Sequence, residues 1–188
     1  ESIKTVGIAM PIFNESDGIS TTLRTLDQVL STEGFLVELF IQDDCSTDQT
    51  EEVIKTIAPD LKMAVHFQKN ESNMGHGPTT FEAYQRAANS NNAIILQLDS
   101  DGQFDPRELP LVIDSVGDQH QVALGIRVAR TDPWFRKALT RLLGTYLRAS
   151  FKCKSGDPNS PIRAYEREIL RGLLKDLPRE PLIPNIYL

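Results

Sequence analysis

Cysteine, histidine and tryptophan are scarce in this chain, with two, three and one copies respectively. Cys45 and Cys153 are too few for a disulfide scaffold or a cysteine-based zinc site, and His66, His76 and His120 are scattered. A reducing compartment suits that usage. No apolar run approaches the ~20 residues of a membrane span, and the N-terminus lacks the charged and apolar regions of a secretory signal. Internal repeats and low-complexity segments are also missing, and a composition of 40% hydrophobic and 24% charged residues excludes collagen-like, coiled-coil and wholly disordered classes.

What is present is an ordinary globular composition over 188 residues, enough for one domain with a real core. The net charge of −6 conceals an asymmetry. Residues 127–154 hold eight Lys/Arg against the single acid Asp132, so that block is +7 and the remainder −13. An acidic protein with one basic block is a poor nucleic-acid binder, and no nucleic-acid partner is expected; the block could hold a phosphorylated ligand or meet an anionic surface. The chain starts with Glu rather than Met and ends in the mostly apolar Pro181–Leu188. It is therefore expected to be a single domain over 1–188 truncated at the C-terminus, with any membrane anchor in the missing part.

Short β-rich runs alternate with helix-period segments, which predicts a mainly parallel sheet covered on both faces. Strands are expected at Thr5–Met10, Val37–Gln42, Met63–Phe67, Ala93–Leu98 and Val122–Arg127, with a short one at Ile162–Tyr165. Helices are expected at Gly18–Thr32, Glu51–Ile57, Thr79–Asn89 and Glu166–Leu174, the first with Ile19, Leu23, Leu26 and Leu30 on one stripe. Ser46 and Asp48 offer caps for the second helix. Asp105-Pro106-Arg107-Glu108 predicts another helix start, with Asp as cap and Glu completing the box. From Pro133 to about Phe151 the pattern is helical, with Trp134, Phe135, Leu139 and Leu143 on one half of the wheel and Lys137, Arg141 and Arg148 on the other. Such a helix, within 131–154, suits a bilayer interface as well as an ordinary surface.

Three predicted strands end in unusual sequence: Pro11-Ile-Phe-Asn-Glu15, Asp43-Asp-Cys-Ser-Thr-Asp48 and Asp99-Ser-Asp101-Gly-Gln103. In open α/β sheets ligands bind outside the carboxyl ends of the strands. Two carboxylates one residue apart, leaving an apolar strand for a turn, suit a hard cation such as Mg²⁺ or Mn²⁺, and Gln103 adds another oxygen.

Taken with Asn73-Met-Gly-His-Gly77, Gly125-Ile-Arg127 and Asp157-Pro-Asn-Ser160, these blocks resemble the family 2 inverting glycosyltransferases of GT-A fold, and within them the polyprenol-phosphate (dolichol-phosphate mannose synthase-like) branch. The resemblance spans roughly residues 5–175 and implies a Rossmann-like three-layer α/β/α fold. It also implies a UDP- or GDP-linked sugar donor, Mg²⁺ or Mn²⁺, and a polyprenyl phosphate acceptor at the cytoplasmic face of a membrane, with peripheral contact to it. Pro11, Phe13 and Glu15 would line the nucleotide pocket with Asp44 and Gly75, and Asp43 would touch the base or ribose. Asp99, Asp101 and Gln103 would hold the metal, with Asp99 also at the nucleotide. Arg127 would serve the diphosphate and Arg141 the acceptor phosphate. Cys45 stands where Gly is usual, His76 where Lys is common, and Pro161-Ile162 where Gly-Phe precedes an arginine; Arg163 is expected to anchor a loop.

A hydroxyl acceptor, as in cell-wall or polysaccharide synthesis, would need a general base. No Glu-Asp pair follows residue 125, and Asp157 is the nearest candidate. A phosphate acceptor is already ionised and asks chiefly for cations. Rival readings fit less of the chain. A haloacid-dehalogenase-type phosphatase would carry its Asp-x-Asp loop on the first strand, and a receiver domain would be complete in ~120 residues. A nucleotide-sugar binding domain without activity would keep the fold.

Overall fold

The computed structural model describes residues 4–102, 104–117, 120–125, 162–177, 181 and 184–187. The elements among them are β1 (Thr5–Ile12), α1 (Ile19–Thr32), β2 (Leu36–Asp43), α2 (Thr50–Ile57), β3 (Ala64–Lys69), α3 (His76–Ala88) and β4 (Ile94–Leu98), followed by α4 (Leu109–Asp114), β5 (Val122–Leu124), β6 (Ile162–Glu166), α5 (Arg167–Lys175) and the short α6 (Pro184–Tyr187). The strands form one sheet in the order β3-β2-β1-β4-β6-β5, parallel from β3 to β4, with β6 antiparallel to both its neighbours.

Strand alternation sorts the core into two layers. Val6, Ile8, Met10, Leu39, Ile41, Leu96 and Leu98 face one way, against the stripe Ile19, Leu23, Leu26 and Leu30 of α1 and against Ile54 and Leu109. Each such side chain, removed from water, contributes about 1.5–3 kcal/mol. On the other face Ala9, Phe40, Ile95 and Tyr165 meet Phe81, Tyr84 and Ala87 of α3 and Leu170 of α5. Helices on both faces make the expected three layers.

Two element starts differ from those expected. Helix α3 starts at His76, not Thr79, because Gly75, at φ +88°, breaks the chain direction and Pro78 then falls in the first turn, where a missing N–H loses nothing. At Asp105 the expected α-helical start is a tighter turn over Pro106–Glu108: the carboxylate accepts from the Arg107 amide at 3.0 Å and grips the guanidinium as well. The expected helix over 133–151, the loop 157–161 and the end of the strand after Leu124 lie outside the described residues.

Candidate donor-binding cleft

Strand β1 pairs with β4 only from Val6 to Ala9, whereas its pairing with β2 continues to Ile12. Pro11 lies just past the last residue paired with β4, where its missing N–H interrupts no ladder. Beyond Ala9 and Gln97 the two strands therefore part, and a cleft of about 370 Å³ opens at the point where the strand order reverses. Its wall includes Pro11 of β1 with Phe13 and Glu15 just beyond it, Asp44 directly after β2, Asn73, Gly75 and His76 at the entry to α3, and Asp99, Ser100 and Asp101 directly after β4.

The tips of β1 and β2 are stitched together. Asn14, at φ +53°, donates its amide to Ser46 Oγ at 2.9 Å and accepts from the Thr47 amide at 2.9 Å. The Glu15 amide donates to Thr50 Oγ1 at 2.8 Å and the Ser16 amide to Asp48 Oδ2 at 3.1 Å. Asp48 also takes the Thr50 hydroxyl at 2.5 Å and amide at 3.0 Å. Burial pushes the Asp48 carboxyl up, and these hydrogen bonds outweigh it, bringing it down to about 2. This clamp fixes where Glu15 enters the cleft. Local spacing predicts a helix cap at Asp48 and carries no sign of its bond to Ser16, 32 residues away.

Asp43 and Asp44, adjacent in sequence, part company. Asp43 is fully buried and lies outside the cleft lining; it accepts from the amide and hydroxyl of Ser46, with Lys69 Nζ at 3.8 Å. Contact with a base or ribose, expected from the resemblance, is not available to a side chain so enclosed. Asp44 reaches the cleft wall, where its oxygens take the Met74 amide at 2.7 Å, the Gly75 amide at 2.9 Å and Asn70 Nδ2 at 3.1 Å. Gly75, expected at the nucleotide, thus turns its N–H inward onto Asp44. Cys45, between this pair and Ser46, sits at φ +63°, in the left-handed region that explains why Gly is usual there.

Across the cleft, Asp99 accepts from Gln97 Nε2 at 2.9 Å and has His76 Nε2 at 4.0 Å, while Asp101 is exposed. Burial, then the neighbouring charges of Asp101 and Asp48, raise the Glu15 carboxyl above its ordinary value. Phe13, almost half exposed, presents a ring at the mouth. Among the described residues, the lining holds four carboxylates and neither Lys nor Arg. Gln103, Arg127, Arg141 and Asp157 lie outside the described residues. Arg163 is buried and donates to the Asn185 carbonyl at 2.8 Å, tying β6 to the short C-terminal helix.

A family model for Glycosyl transferase family 2 matches residues 7–174. The chain belongs to glycosyl transferase family 2. Undecaprenyl-phosphate 4-deoxy-4-formamido-L-arabinose transferases from Edwardsiella ictaluri and Klebsiella pneumoniae are similar to it. The first is 24% identical over 98% of this chain and 56% of its own length, the second 25% identical over 97% and 55%. The chain therefore spans about half the length of the curated relatives it matches. Glucosyl-3-phosphoglycerate synthase from Mycobacterium tuberculosis, solved with UDP, superposes with a TM-score of 0.66 at 23% identity, covering 90% of this chain and 59% of that one. A structure of the same synthase with Mn²⁺, UDP-glucose and phosphoglyceric acid gives the same score and coverage at 23% identity. The family 2 fold is thus the GT-A fold anticipated from the motif series. No helix among the described residues is long and apolar enough to cross a membrane.

Proposed function

We propose that this family 2 domain binds a nucleotide-diphosphate sugar in the cleft between β1 and β4 and transfers the sugar, with inversion, to a polyprenyl phosphate. The observation that carries the donor half is the acidity of the cleft. Four carboxylates among the described lining residues disfavour a bare diphosphate, and a divalent cation carried with the nucleotide offsets that repulsion.

Asp99 and Asp101 supply hard oxygen donors for that cation. No group of three or more His, Cys, Asp or Glu side chains converges among the described residues. Mg²⁺ and Mn²⁺ take one or two protein carboxylates and complete their shell with substrate phosphates and water; Gln103 is proposed as a further oxygen donor. When bound, the cation offsets the negative charge that grows on the departing diphosphate.

The protein's own groups do the rest. Phe13 offers a ring for stacking the base, Pro11 and Glu15 line the nucleotide, and Asp44 holds the 73–75 loop against it. Arg127 is assigned to the diphosphate, where a fixed positive charge acts most strongly as the sugar–phosphate bond breaks. Arg141 is assigned to the acceptor phosphate, which attacks the anomeric carbon already ionised and so needs orientation more than deprotonation. The acceptor named for the undecaprenyl-phosphate relatives supports that choice. Such an acceptor places the work at a membrane surface, which we take to be the cytoplasmic face. Asp157 is the proposed base if the acceptor is a saccharide hydroxyl.

Titration calorimetry with UDP and GDP, with and without Mn²⁺ or Mg²⁺, tests the donor site. Nucleotide binding should require metal, and Asp101→Asn should abolish that requirement's benefit while leaving the thermal midpoint unchanged. Tight metal-independent binding would refute the donor site as described. Arg141→Ala should raise KM for a polyprenyl phosphate without changing donor affinity; the reverse pattern would refute the acceptor assignment.

A further inference from the structure

Strand β4 is buried along its whole length, and four of its five residues are Ile or Leu. Gln97 is the exception. It is fully buried, it is absent from the cleft lining, and an apolar side chain would suit its position on the face covered by α3. Its amide is used on one side only. Nε2 donates to Asp99 Oδ1 at 2.9 Å, while Oε1 has no hydrogen-bond partner among the described residues. A buried amide with an unsatisfied acceptor disfavours the fold, so packing does not account for this residue. Its one bond goes to a side chain two positions along the same strand face, at the floor of the cleft.

We infer that Gln97 is a positioning residue for Asp99, holding one carboxylate oxygen on the sheet side so that the group meets a cation in a fixed orientation. The inference rests on the donor-site reading given above. The amide cannot serve this purpose if reversed, because Oε1 would then face the carboxylate. Arg163, register partner of Gln97 on β6, is buried on the same face and donates to the Asn185 carbonyl. Tyr84 completes the arrangement: its hydroxyl donates to Asn185 Oδ1 at 3.0 Å, and its ring stands edge-on to Tyr165. These contacts tie the C-terminal helix to β6, the strand paired with β4 at Gln97.

The test is Mn²⁺ binding to the chain in the presence of UDP, read by the loss of the free-ion electron paramagnetic resonance signal. Gln97→Leu and Gln97→Met remove the donor and the orphaned acceptor together, so both should keep or raise the thermal midpoint. Both should weaken Mn²⁺ affinity about 10- to 100-fold, the range for removing a partner of a ligating group. Binding of uridine, which carries no phosphate and is followed by NMR shifts, should not change. Mn²⁺ affinity within twofold of the wild type would overturn the inference, as would a parallel fall in uridine binding and thermal midpoint, which would mark a packing role. Wild-type protein with no Mn²⁺ uptake in the presence of UDP would bring down the donor-site reading itself, and this inference with it.

Discussion

Asp44 closes the loop that precedes α3 by accepting the Gly75 amide at 2.9 Å across 31 residues of chain. With the Met74 amide on its other oxygen, it holds two backbone donors that would otherwise lie unpaired at the cleft wall. Asp44→Asn presents an NH₂ group to one of them. The variant should lose about 1–3 kcal/mol in urea denaturation, and hydrogen exchange should quicken at Met74 and Gly75 before the rest of α3. Unchanged exchange at those two amides would show that the loop is held by other means.

The Asp48 clamp makes a prediction in pH. Its carboxyl is lowered from 3.8 to about 2, so the folded state prefers the ionised form. The stability it contributes is present above the ordinary value and is lost as pH falls through about 2. Because the side chain is partly exposed, the contribution is about 1 kcal/mol rather than the full value of the shift. Asp48→Asn should therefore narrow the gap to wild type as pH drops from 5 to 2, measured by chemical denaturation at each pH. A gap that is constant with pH would mean that the charge plays no part in the clamp.

Cys45 occupies a left-handed backbone conformation that costs an L-residue about 1–2 kcal/mol. Glycine removes that strain but gains freedom in the unfolded chain worth about 0.4–1 kcal/mol. Cys45→Gly is expected to stabilise the protein by about 0.5–1 kcal/mol in net, whereas Cys45→Ala should not. A destabilised glycine variant would show that the thiol's contacts outweigh the backbone.

Phe13 stands almost half exposed at the cleft mouth, so its removal should leave the fold intact. Base–aromatic stacking is worth about 1–3 kcal/mol. Phe13→Ala should weaken Mn²⁺-dependent UDP binding roughly 5- to 150-fold by calorimetry. Unaltered affinity would place the base elsewhere.

Much of this was legible along the chain because its signals are periodic or local. The apolar stripe of α1, the alternation of the strands and the three acidic strand ends follow from side-chain spacing, and they anticipated the layers and the cleft. The start of α3 at His76 is not legible along the chain because Gly77 and Pro78 carry the chemistry of a loop, although the first helical turn tolerates both. The antiparallel insertion of β6 beside β4 left no mark in its own five residues, since pairing direction depends on where the chain returns from.

Sequence alone determined the layered α/β architecture and the placing of acidic residues at the ends of β1, β2 and β4, because hydrophobic period and turn chemistry act between near neighbours. Only the tertiary structure decided which of two adjacent aspartates faces the cleft, that Asp48 reaches Ser16, and that Gln97 stands behind Asp99 with Arg163 beside it. Those choices depend on hydrogen-bond partners supplied by other strands and helices. A buried carboxylate or amide takes its role from whichever donors the fold brings within about 3 Å.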